Sequence, residues 1–265
     1  MIIKINKNSY PEQLIFCFKN IKQIFFLSFM DYKIRYRRTI LGPLWPIIQI
    51  FFSSILISII WSILFKQNLG NYFLKIFFNL AIWQLIISTV LESPKLFFGS
   101  YKNHFINLSN PLLFYNFRAI INKLIAFLHN VPFFIIVLIY LGIFPNLLFF
   151  FIGIFLLILN LLWISAILGI ICARYRDISQ LINSLSTTLT LITPVVWNKN
   201  MLGEYANYAY LNPFTSLLEI VTLPITNLEI NLYPFALSIL FIIVGHLILF
   251  LILKYFGKKI VFWSY

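Results

Sequence analysis

Charged residues are scarce in this sequence. Asp, Glu, Lys and Arg make up only 10% of its 265 residues, and only seven residues are acidic. Soluble globular chains carry about 25% charged residues. Here 61% of the residues are hydrophobic and the mean hydropathy is +0.93. The composition therefore predicts an integral membrane protein. It leaves too little polar surface for a soluble domain that binds nucleic acid, despite a net charge of +13.

Several catalytic and ligand-binding motifs are also missing. The sequence has no GxxxxGK[ST] phosphate loop, so this chain does not bind ATP in that way by itself. It has no HExxH motif and no Cys/His cluster with metal-ligand spacing, because His104, His129 and His246 are isolated. We therefore expect no catalytic residue, metal site or cofactor on this chain. No disulfide is expected between Cys17 and Cys172.

Long apolar runs are abundant instead. A membrane-spanning helix needs about 20 mainly apolar residues, since the hydrocarbon layer is roughly 30 Å thick. Backbone groups in lipid must be paired internally, and the sequence lacks the short alternating strands of a barrel, so we expect an all-α fold. The six predicted spans are Trp45–Phe65, Tyr72–Leu91, Leu124–Gly142, Leu147–Ile171, Leu181–Trp197 and Pro234–Leu253.

The distribution of basic residues predicts how these spans are oriented. Eight Lys or Arg residues precede the first span, four lie between spans two and three, two between spans four and five, and three after the last. All of these segments lie on one side of the membrane, which therefore holds 17 of the 20 basic residues. Cytoplasmic loops carry an excess of Lys and Arg, so both termini are predicted to be cytoplasmic.

The chain is predicted to form one transmembrane domain over residues 1–265. It divides into a cytoplasmic arm over 1–44, a six-span region over 45–253 and a cytoplasmic tail over 254–265. Within the arm, Gln13–Met30 is predicted to be a helix that lies in the membrane interface. Its apolar face carries Leu14, Phe18, Ile21 and Phe25, and lysines lie towards the other face.

The segment between predicted spans five and six is apolar but interrupted. Asn212-Pro213, Glu219 and Pro224 break it, and a charge at the centre of a span costs about 2.5–3.5 kcal/mol on insertion scales. We interpret the segment as a re-entrant pair of short helices that dips in from the outer face. Its predicted outer gate comprises Asn212, Pro213, Phe214, Glu219 and Pro224. The alternative is a partly helical loop on the membrane surface.

A dense basic cluster precedes the first span, in the stretch DYKIRYRRTILGPLWPIIQ. Such a cluster is typical of a topology anchor that binds anionic lipid, worth about 1 kcal/mol per basic residue. It also suits a lipid phosphate, because the guanidinium groups of Arg35, Arg37 and Arg38 match phosphate oxygens and are always charged. The two roles do not exclude each other.

Four sequence blocks in order resemble the permeases of polysaccharide ABC exporters of the O-antigen and teichoic acid type, which are ABC-2 type transmembrane subunits. The blocks are RYRRTILGPLWPIIQ, ARYRDISQLINSLSTTLTLITPVVW, LNPFTSLLEIVTLPI and KKIVFWSY. The resemblance extends over nearly the whole chain. One departure is Thr222, which stands where the family often has a basic residue.

The resemblance implies a homodimer that works with a pair of separate ABC ATPase subunits, which would carry the Mg-ATP. It also implies a bacterial inner-membrane location. The expected substrate is an undecaprenyl-diphosphate-linked polysaccharide, such as an O-antigen of lipopolysaccharide biosynthesis, exported through a channel between the two copies. A coupling helix would dock on the ATPase at about Gly99–Leu113, with the residues Tyr101, Lys102, Asn103, His104 and Pro111.

The resemblance and the basic cluster together predict a substrate entrance. Arg35, Arg37 and Arg38 would attract the diphosphate, and the loop with Thr39, Leu41, Gly42 and Pro43 would shape the opening. Two alternatives remain open from the sequence. One is a membrane-embedded transferase that acts on the same carrier lipid, although the seven carboxylates are scattered. The other is an ATP-independent flippase.

Overall fold

The computed structural model describes residues 9–66, 68–98, 110–226 and 231–263. All regular secondary structure in these ranges is helical, as predicted. The α-helices are α1 (Tyr10–Lys19), α2 (Ile21–Arg35), α3 (Leu44–Phe65), α4 (Leu69–Glu92), α5 (Lys95–Phe98), α6 (Leu112–Leu128), α7 (Val131–Leu141), α8 (Leu147–Arg174), α9 (Asp177–Ile192), α10 (Pro213–Thr226) and α11 (Tyr233–Trp263). A 3₁₀ segment, Lys199–Leu211, joins α9 to α10 through Asn212.

Five helical stretches in the described residues are long and apolar enough to cross a membrane. They are α3, α4, the combined stretch of α6 and α7 over Leu112–Leu141, α8, and α11 over Tyr233–Gly257. The predicted first, second, fourth and sixth spans coincide with α3, α4, α8 and α11. The chain is therefore a multi-pass membrane protein by length and composition of its helices.

Two predicted spans differ from the helices observed. The third predicted span starts at Leu124, whereas the helical stretch starts at Leu112, so the predicted start was wrong. The prediction places the cations Arg118 and Lys123 in a loop before this span. In the structure both are buried within α6, and each is paired with a carboxylate. The fifth predicted span corresponds to α9, whose 16 residues extend only about 24 Å. A count of six spans therefore stays a prediction.

The arm is two helices where a single one was predicted. The backbone leaves helical geometry at Asn20, with φ −105° and ψ 20°, and the Asn20 side chain donates to the Phe16 carbonyl at 2.9 Å. Such local hydrogen bonds compete with helix continuation. Helix α2 then packs along α6 with Ile24, Ser28 and Tyr32 buried. Several of its apolar residues, among them Phe25, stay exposed.

The core lies around α4, α8 and α10. Helix α10 packs against α4, α8 and α11, and ten of its residues, Thr215–Thr222, Pro224 and Ile225, are buried. Its approach to α8 depends on Gly153, because a Cβ there would lie 2.1 Å from the carbonyl oxygen of Ile220. Small residues allow membrane helices to approach this closely. Helix α10 is thus held inside the protein although it is too short to span.

Candidate functional site

Helix α9 presents a polar face that no other part of the described chain covers. Gln180, Asn183, Ser184 and Thr187 are exposed and follow a helical spacing of three or four residues, with Thr188 at their edge. The opposite face packs through Ile182 onto the core, and α9 lies beside α4 and α8. Hydrophilic side chains at membrane depth normally face a bundle interior or a water-filled path. We name these five residues the α9 polar face.

The sequence predictions did not single out the α9 polar face. The signal was present as a predicted span with an unusual content of Ser, Thr, Asn and Gln, in SQLINSLSTTLT. Length and apolarity marked that segment only as a span. The exposed side of the helix becomes evident once Ile182 is seen to be buried.

Asn212 and Phe214, two residues of the predicted gate, meet α9 and α4. The Asn212 side chain donates to the Thr193 hydroxyl at 2.8 Å and accepts from the Phe214 backbone N–H at 3.0 Å, so it caps α10. The Phe214 ring packs edge-on against Trp83, with centroids 5.9 Å apart. The Trp83 indole in turn donates to the Thr190 hydroxyl of α9 at 2.9 Å. These contacts tie the start of α10 to the end of α9.

Glu219 is buried with its charge compensated. Lys199 donates to its Oε2 at 2.7 Å, and the Tyr210 hydroxyl donates to the same oxygen at 2.7 Å. Burial, and then Glu219 itself, raise the pKa of the Tyr210 hydroxyl well above its ordinary value, so Tyr210 remains a donor. Sequence reasoning named Glu219 and not these two partners. We call these three residues the Glu219 cluster; it fastens the 3₁₀ segment to α10.

The other predicted gate residues are structural parts of α10. Pro213 begins the helix, where its missing N–H costs no intrahelical bond. Pro224 lies in the last turn, and its carbonyl accepts from the Asn146 N–H at 2.9 Å.

The predicted entrance residues form the connection between α2 and α3. Arg35 ends α2, while Arg37, Arg38 and Thr39 are exposed. Gly42 has a φ of +51°, in the left-handed region that favours glycine, and Pro43 immediately precedes α3. The structure therefore brings the predicted arginines and the Thr39–Pro43 loop together at one exposed edge, with Leu41 among the exposed residues.

Charged residues tie this edge to the bundle. Arg118 of α6 donates through Nε and Nη2 to the two carboxylate oxygens of Asp31 at 2.7 and 2.6 Å. Glu92, at the end of α4, pairs with Lys123 of α6 and lies 3.5 Å from the Arg35 guanidinium. The end of α2 is thus linked electrostatically to both α4 and α6.

The predicted coupling residues Tyr101, Lys102, Asn103 and His104 lie outside the described residues. Pro111 precedes α6, and its carbonyl accepts from the Phe114 N–H at 3.0 Å. No group of three metal-ligating side chains occurs in the described ranges.

The two histidines in the described residues serve as helix contacts. His129 interacts with the Tyr32 hydroxyl at 3.1 Å, and His246 with the Tyr10 hydroxyl.

Comparison with known proteins identifies one family. A protein-family model described as ABC-2 type transporter matches residues 22–226, which include nearly all of α2, all of α3 to α10, the α9 polar face, the Glu219 cluster and the predicted entrance and gate. No curated protein gives a significant match to the chain.

Proposed function

Because the chain belongs to the ABC-2 type transporter family, we propose that it is the permease subunit of an ATP-driven exporter. The proposed substrate is a polysaccharide linked to undecaprenyl diphosphate, moved from the cytoplasmic to the outer face of a bacterial inner membrane. Family membership supports a membrane transport subunit that pairs with an ABC ATPase. The substrate class is supported by the four sequence blocks and by the polar and basic surfaces described above.

The α9 polar face is the observation that carries this proposal. Its amide and hydroxyl groups are exposed on the single chain, although α9 lies beside two helices that are apolar enough to span. Exposure of such groups to lipid is unfavourable, whereas a water-filled path accommodates them. A hydrophilic glycan needs hydrogen-bonding groups of this kind along its route. We place the α9 faces of two copies on opposite sides of that route.

A symmetric homodimer completes the path. Most homodimers use a twofold axis, which brings the same surface of both copies together. Under that symmetry the α9 polar faces of the two copies form two polar walls of one path. The apolar α3, whose outward residues include Phe52 and Leu56, would then face lipid or the partner copy.

The entrance is placed at the edge formed by Arg35, Arg37 and Arg38. Guanidinium groups bind diphosphate oxygens in bidentate fashion and remain charged at every physiological pH. The loop from Thr39 to Pro43, with Thr39 and Leu41 exposed, follows them in the chain and leads into α3. A carrier lipid would present its diphosphate here while its chain stays in the bilayer.

ATP hydrolysis is assigned to a separate subunit, since this chain has no phosphate-loop motif. The docking residues are proposed to be Tyr101, Lys102, Asn103, His104 and Pro111, between the second and third spans. Both termini are placed in the cytoplasm, because 17 of the 20 basic residues then lie on that side. The Glu219 cluster is accordingly placed near the outer face, where α10 would form part of the gate.

Reconstitution tests the proposal. The chain is purified from its native membrane, bound proteins are identified, and the complex is placed in sealed vesicles with a lipid-linked glycan. The expected result is a bound phosphate-loop ATPase whose hydrolysis increases with the glycan, together with ATP-dependent movement of glycan across the vesicle membrane. Turnover of the lipid-linked sugar without an ATPase would support a transferase instead. Movement that ignores ATP would support a flippase.

A further inference from the structure

A charged cavity of about 300 Å³ lies between the arm and the helical bundle. Its walls come from α2, α4, α5 and α6, with Ser165 of α8, and its charged side chains are Asp31, Arg35, Glu92, Lys95, Arg118 and Lys123. This volume is at the lower end of known ligand pockets, which suits a small polar group and not a sugar chain. Neither the Thr39–Pro43 loop nor the α9 polar face contributes to it.

The lining has more positive than negative charge. Four cations face two carboxylates, and Asp31 is already engaged in two hydrogen bonds with Arg118. Glu92 serves both Lys123 and, at the longer distance of 3.5 Å, Arg35. Lys95 takes part in none of the ion pairs among the described residues and is exposed. An anion in this cavity would find Lys95 and Arg35 available and Lys123 close by.

One buried acceptor in the lining lacks a donor. Asn122 is only 2% exposed; its amide nitrogen donates to the Ser28 carbonyl at 2.9 Å, but its Oδ1 has no hydrogen-bond partner. A buried acceptor without a partner is unfavourable. The phosphate group of an ester dianion or of a diester has no hydrogen to offer this oxygen, whereas a free hydroxyl group does. The cavity therefore suits a ligand with both a phosphate and a hydroxyl.

The position of the cavity matches that of lipid headgroups. Glu92 is the last residue of α4, one of the five candidate spans, so the cavity lies at the end of a span. Headgroups occupy the layer directly outside the hydrocarbon core. The adjoining helix α2 carries exposed Phe25, Phe29 and Ile34, which suit the same boundary.

We propose that this cavity binds a phosphate ester that carries a free hydroxyl, of the phosphoglycerol type. The phosphate lies between Lys95, Arg35 and Lys123, and the hydroxyl donates to Asn122 Oδ1. Bound there, the ligand joins α2 to α4 and α5 and stabilises the arm against the bundle. The site shares Arg35 with the proposed entrance, but its test uses neither the transported substrate nor ATP, so it stands or fails separately from the proposed function.

Binding to the purified full-length chain in phosphatidylcholine nanodiscs tests the site. One arm adds phosphatidylglycerol to the nanodisc lipid, and the other adds soluble glycerol 3-phosphate or methyl phosphate, an ester without a free hydroxyl. Binding is followed by native mass spectrometry and by the thermal midpoint, since a ligand of the folded state raises it. Phosphatidylglycerol or glycerol 3-phosphate is expected to bind, and to bind about tenfold more weakly to Lys95→Ala. Binding in one arm alone supports the site and identifies the source of the headgroup.

Lys33→Ala is the matched control, because Lys33 is an exposed lysine of α2 outside the cavity. Its affinity should change less than twofold. Equal losses in Lys95→Ala and Lys33→Ala would overturn the proposal, because they indicate general attraction of anions to the basic surface. Binding in neither arm would also overturn it. Methyl phosphate that binds as tightly as glycerol 3-phosphate would contradict the hydroxyl contact to Asn122.

Discussion

Asp31 and Arg118 form a bidentate ion pair that fastens the arm to the bundle. The two N–O distances are 2.7 and 2.6 Å, although the residues are 87 positions apart in the chain. The Arg118 side chain is only 8% exposed, so its charge is largely removed from water. The Asp31 carboxylate therefore makes Arg118 tolerable inside an otherwise apolar helix.

Loss of either partner should destabilise the protein. Asp31→Asn is expected to lower the free energy of unfolding by about 3 kcal/mol, because it removes the carboxylate charge beside the buried Arg118. Arg118→Met is expected to cost less, because the Asp31 side chain is 26% exposed and stays partly solvated. The double variant should be less destabilised than the sum of the two. Unfolding in detergent, arranged as a double-mutant cycle, measures the coupling. Strictly additive effects would show that the pair contributes nothing.

This pair also explains where prediction from sequence fell short. Uninterrupted apolar runs such as Trp45–Phe65 and Leu147–Ile171 predicted α3 and α8 well, since an apolar run of this length is enough to indicate a membrane helix. Arg118 and Lys123 interrupted the third run, and their partners lie far away along the chain. A counter-charge so far away along the chain cannot be recognised from the residues around Arg118 and Lys123. The sequence therefore did not predict that the helix starts at Leu112.

The arm and α9 show two further limits of the sequence. The break at Asn20 depends on one side-chain hydrogen bond to Phe16, which no periodicity reveals. Helix α9 was predicted as a span from its length, but its exposed polar face depends on which neighbours pack against it. The predicted entrance residues lie in one connection between α2 and α3, and the predicted gate residues are spread from Asn212 along α10, while their roles stay predictions.

Glu219→Gln should loosen the 3₁₀ segment from α10. The substitution keeps the shape and one acceptor for Tyr210 but removes the charge that compensates Lys199. Because Lys199 would then be a partly buried cation without a counter-charge, we expect a loss of about 2 kcal/mol or more. Thermal unfolding in detergent measures it. Glu204→Gln, at an exposed glutamate of the same segment, is the matched control and should change stability by about 0.5 kcal/mol or less. An equal loss of stability in Glu219→Gln and Glu204→Gln would contradict the proposal that the Glu219 cluster fastens the 3₁₀ segment to α10.

Cys17 should react slowly with maleimide while the arm is docked. Its side chain is buried against the bundle, and burial raises the pKa of its thiol to about 12. Since the thiolate is the reactive form, its fraction at pH 8 is about a thousandfold below that of a thiol with the ordinary pKa. Labelling should therefore accelerate as the pH rises from 8 to 10. The measurement uses a Cys172→Ala background.

A cysteine at the exposed position Lys33 gives the reference rate for this labelling. If Cys17 reacts as fast as the Lys33→Cys variant in the folded protein, the docked position of α1 is wrong. Denatured protein should label equally at both sites, which shows that the folded environment of Cys17 sets the difference.

Arg37→Ala combined with Arg38→Ala should abolish most export. Both residues are exposed and lie outside the cavity between α2 and α4, so their loss leaves the fold and the proposed phosphoglycerol site in place. We expect normal membrane insertion and normal copurification with the ATPase, with at least tenfold slower glycan transport. Transport into vesicles is the measurement. The matched control, Lys19→Ala combined with Lys22→Ala, removes the same charge from the arm and should leave export normal. Equal loss of export in the two double variants would show that Arg37 and Arg38 act only as a general lipid anchor.

Modification of a cysteine at Thr187 tests the proposed path most directly. Thr187→Cys is placed in a chain with Cys17→Ala and Cys172→Ala, reconstituted with the ATPase, and treated with a bulky, water-soluble thiol reagent. Leu185→Cys, on the exposed apolar side of the same helix, is the matched control. If the α9 polar face lines the route, the reagent modifies Thr187→Cys and stops ATP-driven export of the lipid-linked glycan, while Leu185→Cys stays active. Undiminished export by fully modified Thr187→Cys would contradict the proposed path.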